Sequence, residues 1–361
     1  MKVFITGGHP APALALINEI KKRKNVEIIF VGRKYPIVGE KMLSFEYQEV
    51  IKKGIKFIDL KTGKLPRFLT KDIFINIWLL FLGFFSALII VLKQRPNIII
   101  SFGSFLAFPI AFWAFIFRIP IFLHEQTIAP GLANRIIGLW AKKIFLAFPN
   151  AQKYFDKKKT IIVGNPIRFY KIKTKQKIKN KRPIIYITGG SLGSHAINLH
   201  IEKILPILLK KYLIIHQTGN ISEFDDYHRL KNKFKSPFYF PFTHLSQEEL
   251  FSIYQKADLV ISRAGANTFF ELIVFEKPTI FIPLPYSASK EQLLHAKIFK
   301  EAGTGEIFNQ NEESEKLLQL IDKMINNLKI YQRNFKKLSD LYQKDAPQKM
   351  VETIFSLVEK N

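Results

Sequence analysis

The chain has 361 residues, a length that predicts two domains at roughly 150 residues each. Hydrophobic residues make up 48% and charged residues 23%, a balance that excludes a disordered chain, collagen and a coiled coil. The absence of cysteine excludes a disulfide framework, a thiolate zinc site and a cysteine nucleophile. The net charge is +26, and residues 1–168 hold 26 basic but only 9 acidic residues.

The basic excess has two interpretations. It could attract nucleic acid or an anionic membrane surface, or it could be compositional drift, since Lys, Ile, Phe and Asn are all abundant. The sequence contains no zinc-finger spacing and no aromatic–basic RNA-binding motif, so we expect no nucleic-acid partner. The N-terminal strand runs directly into Thr6-Gly7-Gly8 with no apolar secretory core, which predicts a cytoplasmic protein.

Short apolar runs alternate with segments of helical periodicity along the chain, and a helix is predicted over 12–22. Strands are predicted in the first half at 3–6, 26–31, 56–58, 98–101, 121–123, 144–146 and 161–163. Strands are predicted in the second half at 184–188, 213–217, 238–240, 259–262, 279–283 and 305–308, before a helical tail over 311–360. Alternating strands and helices indicate parallel sheets.

The boundaries of the predicted domains follow from a basic segment at 171–182, which has no apolar face and is typical of a linker. The Thr-Gly-Gly after the first strand recurs as Thr188-Gly189-Gly190. We therefore expect an α/β fold with two Rossmann-like domains whose parallel sheets face a cleft. The expected domains are 1–168, a linker at 169–182, 183–340, and a C-terminal helix at 341–361 that packs back on the first domain.

Residues 73–92 form an apolar segment of transmembrane length, in which only Asn76 and Ser86 are strongly polar. Three alternatives remain: a helix packed on the sheet with an exposed apolar side against a membrane, a fully buried helix, and a true span. The first is favoured, because a helix that is apolar all round cannot bury every face on the outside of a small α/β domain.

Two glycine turns carry part of the candidate chemistry of the chain. Thr6-Gly7-Gly8 lets the backbone approach a ligand, and His9 is either a general base or a helix-capping residue. The segment 189–194 is a second glycine turn that could offer N–H groups and the Ser191 hydroxyl to a phosphate, although the motif alone is weak.

Two further candidate side chains are charged. Glu271 either accepts two ribose hydroxyls or is a helix-start carboxylate favoured by the dipole. Arg168 either holds a diphosphate or is solvated. The sequence contains no Asp-x-Asp, which argues against a metal-dependent nucleotide-sugar transferase, and we expect neither a metal nor a cofactor.

Several segments together resemble the MurG family of peptidoglycan glycosyltransferases (glycosyltransferase family 28). The similar segments are TGGHPAPALA (6–15), HEQTIAPGLANR (124–135), GNPIR (164–168), GGSLGSHAIN (189–198), HQTG (216–219), SRAGANTFFEL (262–272) and PLPYSASKEQ (283–292). Their order and spacing match the family from residue 6 to about 305. The resemblance implies a GT-B fold and an inverting, metal-independent transfer of N-acetylglucosamine from UDP-N-acetylglucosamine to lipid I, giving lipid II. It also implies peripheral binding to an anionic surface on the cytoplasmic face of the cell membrane.

The resemblance also implies site residues. Thr6, Gly7 and Gly8 belong to the cleft for the donor and acceptor diphosphates, Arg168 and Ser191 contact the UDP diphosphate, and Thr243 lies at the uracil. Phosphate and ribose are held by Ala266, Asn267, Thr268, Phe269, Phe270 and Glu271, with Glu271 on the ribose. The donor-sugar contacts are Thr127 and Gln292, Glu125 is a further substrate-binding residue, and His9 is the expected catalytic base.

The chain departs from the family pattern at three places. Phe4-Ile5 stands where the family has two further glycines, Thr127 replaces an Asn that touches the donor sugar, and Ser289-Lys290-Glu291 replaces an acidic-His-Gln run before Gln292. Two alternatives therefore stay open: another GT-B enzyme that glycosylates a different lipid or isomerises UDP-N-acetylglucosamine, and a basic membrane-binding module that has lost catalysis.

Overall fold

The computed structural model describes the chain apart from residues 9, 36–42, 63–72, 168–181, 191, 222, 287–289 and 360–361, and the side chains of 45 and 73–77. His9, Arg168, Ser191 and most of the predicted linker therefore lie outside the described residues. The chain divides into two units: unit 1 comprises Met1–Arg168 with Gln343–Asn361, and unit 2 comprises Phe169–Tyr342.

Each unit contains one parallel sheet. The strands of unit 1 are β1 (Lys2–Thr6), β2 (Glu27–Gly32), β3 (Lys56–Asp59), β4 (Ile98–Ser101), β5 (Ile121–Glu125), β6 (Lys143–Leu146) and β7 (Thr160–Ile162). The strands of unit 2 are β8 (Ile184–Thr188), β9 (Leu213–Gln217), β10 (Tyr239–Phe242), β11 (Leu259–Ser262), β12 (Thr279–Phe281) and β13 (Gly305–Ile307). The spatial orders are β3-β2-β1-β4-β5-β6-β7 and β10-β9-β8-β11-β12-β13. All the predicted strands are confirmed within two residues at either end, and so is the α/β class with two parallel-sheet domains.

Helices connect successive strands in both units. Those of unit 1 and the start of unit 2 are α1 (Pro10–Ile20), α2 (Phe45–Lys52), α3 (Ile73–Gln94), α4 (Ser104–Ile116), α5 (Leu132–Trp140), α6 (His195–Lys211) and α7 (Asp226–Lys233). The remaining ones are α8 (Gln247–Lys256), α9 (Ala266–Val274), α10 (Glu291–Ala302), α11 (Ser314–Asn326), α12 (Leu328–Arg333) and α13 (Ala346–Glu359). Short 3₁₀ helices occupy Pro149–Tyr154, Lys157–Lys159 and Asn334–Leu341.

Both faces of the unit 1 sheet are buried, which explains its nearly continuous apolar strands. In β1, Val3 and Ile5 enter one core cluster and Phe4 enters the other, as the alternation of side chains along a strand requires. Helix α13 adds Met350 and Phe355 to the first cluster, so the C-terminal end of the chain completes the core of unit 1.

The predicted helical tail is interrupted in the structure. Helix α11 ends at Asn326, a short α12 and a 3₁₀ helix follow, and α13 begins only at Ala346. Pro347 stands in the first turn of α13, where its missing N–H leaves no hydrogen bond unmade.

Helix α3 packs one side on the sheet and exposes the other. Ala87 and Val91 are buried, whereas Phe85 is 63% exposed and belongs to a row of apolar side chains at helical spacing. This row, here called the apolar stripe, consists of Trp78, Phe81, Phe85, Ile89 and Leu92. The fully buried alternative for this segment is therefore wrong.

No helix within the described residues has the length and apolar content that crossing a membrane requires.

Candidate functional site

Each sheet reverses its strand order at one point, between β1 and β4 in unit 1 and between β8 and β11 in unit 2. In open parallel sheets, ligands bind beyond the carboxyl ends of the strands at such a point. The predicted glycine turns follow β1 and β8, and the segment that begins at Ser262 follows β11. The topology therefore brings sequence-predicted residues to the expected edge in each unit.

The turn after β1 is held tightly against the loop after β4. Gly7 has a φ of +144°, and a Cβ there would lie 2.7 Å from the backbone carbon of Phe102. The Gly8 N–H donates to the Gly103 carbonyl over 3.2 Å. The Thr6 hydroxyl is buried and has no hydrogen-bond partner among the described residues.

Glu125 ends β5 and organises the loop that follows it. One carboxylate oxygen accepts hydrogen bonds from the Thr127 N–H (2.8 Å) and hydroxyl (2.7 Å), and the other accepts from the Asn134 amide (2.6 Å). The Asn134 carbonyl accepts in turn from the Ser104 N–H at the start of α4. Burial raises the pKa of Glu125 above its usual range. The carboxylate thus faces the protein. Contact of Thr127 with the donor sugar and of Glu125 with a substrate stays a prediction.

The glycine turn after β8 is built by close backbone approach. Gly193 pairs with Gly219, the last residue of the HQTG segment. A Cβ on Gly193 would lie 2.1 Å from the Thr218 carbonyl oxygen, and its φ is +82°. By contrast, a Cβ on Gly190 would meet no described residue within 4 Å, so this part of the turn has open space beside it in the described structure.

A buried polar network behind this turn was not predicted from the sequence. Asn198 donates to the Thr218 carbonyl (2.9 Å) and to Asp226 (2.7 Å), and its own carbonyl is 3.0 Å from His216 Nε2. Burial lowers the pKa of His216 to about 3. The neutral imidazole therefore donates from Nε2 and accepts from the Tyr239 hydroxyl at Nδ1 (3.1 Å).

Helix α9 begins at the carboxyl edge of the sheet and presents the predicted phosphate- and ribose-binding segment. Gly265 precedes it with no side-chain cap, and a Cβ there would meet nothing within 4 Å. The side-chain carbonyl oxygen of Asn267 is buried without a partner among the described residues. Phe269 and Phe270 are fully buried, so these two residues can offer a ligand only their main chain.

Glu271 lies on the buried side of α9. Its carboxylate accepts from the Gln247 amide over 3.1 Å and from the Tyr254 hydroxyl. Burial outweighs these hydrogen bonds and raises its pKa to about 7. The side chain is therefore about half protonated near neutral pH when no ligand is bound.

The remaining predicted residues lie at the same edge of unit 2 in less buried positions. Gln292, in the first turn of α10, accepts from the Leu284 N–H over 2.9 Å. Thr243 follows β10, the edge strand, and is partly exposed. His295, which the sequence did not single out, is 2.9 Å from the Ala264 carbonyl through Nδ1 and stacks on Phe269.

Comparison with known proteins covers nearly the whole chain. Residues 6–146 match the glycosyltransferase family 28 N-terminal domain, and residues 184–350 match the glycosyltransferase family 28 C-terminal domain. A Clostridium tetani protein named UDP-N-acetylglucosamine–N-acetylmuramyl-(pentapeptide) pyrophosphoryl-undecaprenol N-acetylglucosamine transferase is 34% identical, with 94% of each chain covered. A Bacillus cereus protein of the same name, numbered 2, is 31% identical over 98% of this chain and 99% of its own. The crystal structure of Acinetobacter baumannii MurG has a TM-score of 0.72 and 23% identity over 100% of this chain and 99% of that one, and supports the fold.

Proposed function

Because the chain belongs to glycosyltransferase family 28, we propose that it transfers N-acetylglucosamine from UDP-N-acetylglucosamine to lipid I, the undecaprenyl-diphosphate-linked muramyl peptide. The product is lipid II. The observation that carries the proposal is the relationship to transferases of that name at 31–34% identity over nearly the whole chain.

The proposed reaction is a single displacement with inversion. The C4 hydroxyl of N-acetylmuramic acid attacks the anomeric carbon of the donor sugar, and the bond from that carbon to the diphosphate oxygen breaks. UDP leaves with the electron pair, while His9 takes the proton of the hydroxyl. A positioned base of this kind typically contributes about 10²–10⁴-fold to the rate.

Unit 2 is the proposed site of the donor. Helices α6 and α9 begin at the carboxyl edge of its sheet. The N–H groups at their N-termini stabilise the negative charge that develops on the departing UDP. Glu271 takes the ribose hydroxyls, Gln292 takes the sugar, and Thr243 lies by the uracil. Arg168 and Ser191 are proposed to contact the diphosphate.

Unit 1 is the proposed site of the acceptor. The Thr6 hydroxyl, which has no partner within the described part of the chain, and the turn at Gly7 and Gly8 lie at the carboxyl edge of its sheet, and His9 follows them in the sequence. Glu125 and Thr127 shape the neighbouring loop.

The apolar stripe of α3 is proposed to rest on the cytoplasmic face of the cell membrane, where lipid I is held. Phe115 and Ile116, at the end of α4, are also exposed, and α3 and α4 pack together. Lys93 and Arg95 lie exposed beside the end of the stripe. Basic residues near an anionic surface contribute roughly 1 kcal/mol each, so they add to the burial of the aromatic side chains.

The experiment is transfer of radiolabelled sugar from UDP-N-acetylglucosamine to a lipid I analogue, with a diacylglycerol acceptor in parallel. We expect labelled lipid II from the first acceptor only. Labelled diacylglycerol, isomerised donor or no turnover would contradict the proposal. His9→Ala is expected to lose at least about a hundredfold in turnover, and near-normal turnover would contradict the assignment of the base.

A further inference from the structure

Arg263 joins three loops at the carboxyl edge of the unit 2 sheet. It directly follows β11, and its guanidinium donates to the Ile282 carbonyl after β12 (2.9 Å) and to the Ser194 hydroxyl before α6 (2.8 Å). Strands β8, β11 and β12 are adjacent in the sheet, so one side chain links the segments that follow three neighbouring strands.

The positive charge of Arg263 has no carboxylate partner within the described parts of the chain. Its two hydrogen-bond acceptors are neutral, and burial lowers its pKa with no nearby carboxylate opposing the effect. Arg229 in the same unit shows the contrast, because it is paired with both Glu202 and Asp226. A partly buried cation without a counter-charge is unfavourable, so an anion that binds beside it relieves that cost.

Two helix N-termini add to the positive potential beside this guanidinium. Ser194 precedes α6 and Gly265 precedes α9, and neither helix has a side-chain cap for its first N–H groups. The Ser194 hydroxyl accepts from Arg263, so its own hydrogen points elsewhere and can be donated to a ligand oxygen. Open space at Gly190 and Gly265 leaves room for that ligand.

We propose that Arg263 is a positioning residue that selects a diphosphorylated nucleotide, by supplying the counter-charge for the diphosphate and orienting the Ser194 hydroxyl toward it. This inference rests on the proposed donor site and adds to it the residue that sets the preference for UDP over uridine. Arg263 acts in two ways without contacting the diphosphate itself. Its hydrogen bond orients the Ser194 hydroxyl, and its charge adds to the positive potential of the two helix N-termini.

The test compares UDP and uridine binding at pH 8 by isothermal titration calorimetry, on the full chain and on Arg263→Gln, Arg263→Lys and Ser194→Ala. Arg263→Gln is expected to weaken UDP binding by about ten- to hundredfold, the scale of a charge–charge attraction at a partly buried site, while uridine affinity changes less than about twofold. Arg263→Lys should recover part of the UDP affinity, and Ser194→Ala should lose a smaller part of it.

Arg333→Gln, which removes the same charge from an exposed position on α12, is the matched control and should leave the ratio of UDP to uridine affinity unchanged. Equal losses of UDP and uridine in Arg263→Gln would mean a purely structural role and overturn the inference, as would an unchanged UDP affinity. If Arg263→Gln fails to fold, the test uses Ser194→Ala: a lower ratio of UDP to uridine affinity supports the inference, and an unchanged ratio overturns it. Absence of UDP binding by the unaltered chain would instead refute the proposed donor site.

Discussion

The affinity for the donor should depend on pH through Glu271, because the pKa of this residue is about 7 in the ligand-free protein. Two ribose hydroxyls bind the ionised carboxylate much more strongly than the protonated carboxyl, because charge-assisted hydrogen bonds are about twice as strong as neutral ones and the protonated oxygen is itself a donor. Below pH 7 the donor must therefore displace a proton, and its affinity should fall by about tenfold for each further unit of pH. Above pH 8 the affinity should be nearly constant.

The assay is calorimetric titration with UDP-N-acetylglucosamine between pH 5.5 and 9. This donor is suitable because its diphosphate, unlike the terminal phosphate of UDP, does not titrate in that range. Glu271→Gln should bind weakly at every pH and lose the dependence. A flat profile for the unaltered chain, or the same slope in Glu271→Gln, would refute the assignment of the ribose contact.

The same pKa predicts an opposite effect on stability. The pKa of Glu271 is raised from 4.5 to about 7 on folding, so between these values the folded state holds a proton that the unfolded state has lost. Stability consequently falls as pH rises through this window, by up to about 3 kcal/mol above pH 7. Ligand-free Glu271→Gln should therefore melt at a higher temperature than the unaltered chain at pH 8, but not at pH 4. A lower melting temperature at both pH values would mean that the carboxylate is needed for packing.

Three further predictions follow from the geometry of the two units. Gly193→Ala should abolish UDP binding and lower the melting temperature, because the new Cβ would overlap the Thr218 carbonyl, whereas Gly265→Ala, in open space at a φ of −67°, should fold normally by circular dichroism. Asn198→Ala should cost roughly 2–4 kcal/mol in chemical denaturation, since it removes one buried hydrogen bond each from His216, Asp226 and the Thr218 carbonyl; a cost as small as that of Asn311→Ala, at an exposed site, would contradict the network. Phe81→Ser with Phe85→Ser should reduce flotation with anionic vesicles at least about tenfold, while Ile330→Ser, at an exposed position of unit 2, should not; equal flotation of both variants would count against the apolar stripe as a membrane contact.

The strands were predictable because a parallel strand buried on both faces has a short apolar run with turn residues at its ends. Ile98–Ser101 is such a run, between Pro96-Asn97 and Gly103. The exposed side of α3 was not predictable from periodicity, since residues 73–92 are apolar on every side. Only the packing of Ala87 and Val91 against the sheet determines that Phe81 and Phe85 face outward.

The candidate site was predictable where its residues are contiguous, and not where they pair across the fold. The glycine turns and the segment from Ala266 to Glu271 are local patterns. The partners of Asn198 are far from it in sequence, and the Ser194 hydroxyl meets Arg263 69 residues away, so no spacing rule connects them. The structural role of Glu125 could not be predicted either, because the sequence does not show that one of its oxygens accepts from Thr127 and the other from Asn134.

The repeated Thr-Gly-Gly shows why a shared pattern need not mean a shared role. In unit 1, a Cβ on Gly7 would strike the Phe102 backbone and one on Gly8 would lie 2.8 Å from the Ser104 hydroxyl, so these glycines are required for close packing. In unit 2, Gly189 meets the backbone of its own loop, whereas Gly190 faces open space. Among the described residues of the two turns, Gly190 alone has open space beside it, and it lies at the edge where Arg263, which has no carboxylate partner there, and two helix ends without side-chain caps converge. The structural difference between the turns, rather than their common sequence, therefore favours unit 2 as the site of the donor diphosphate.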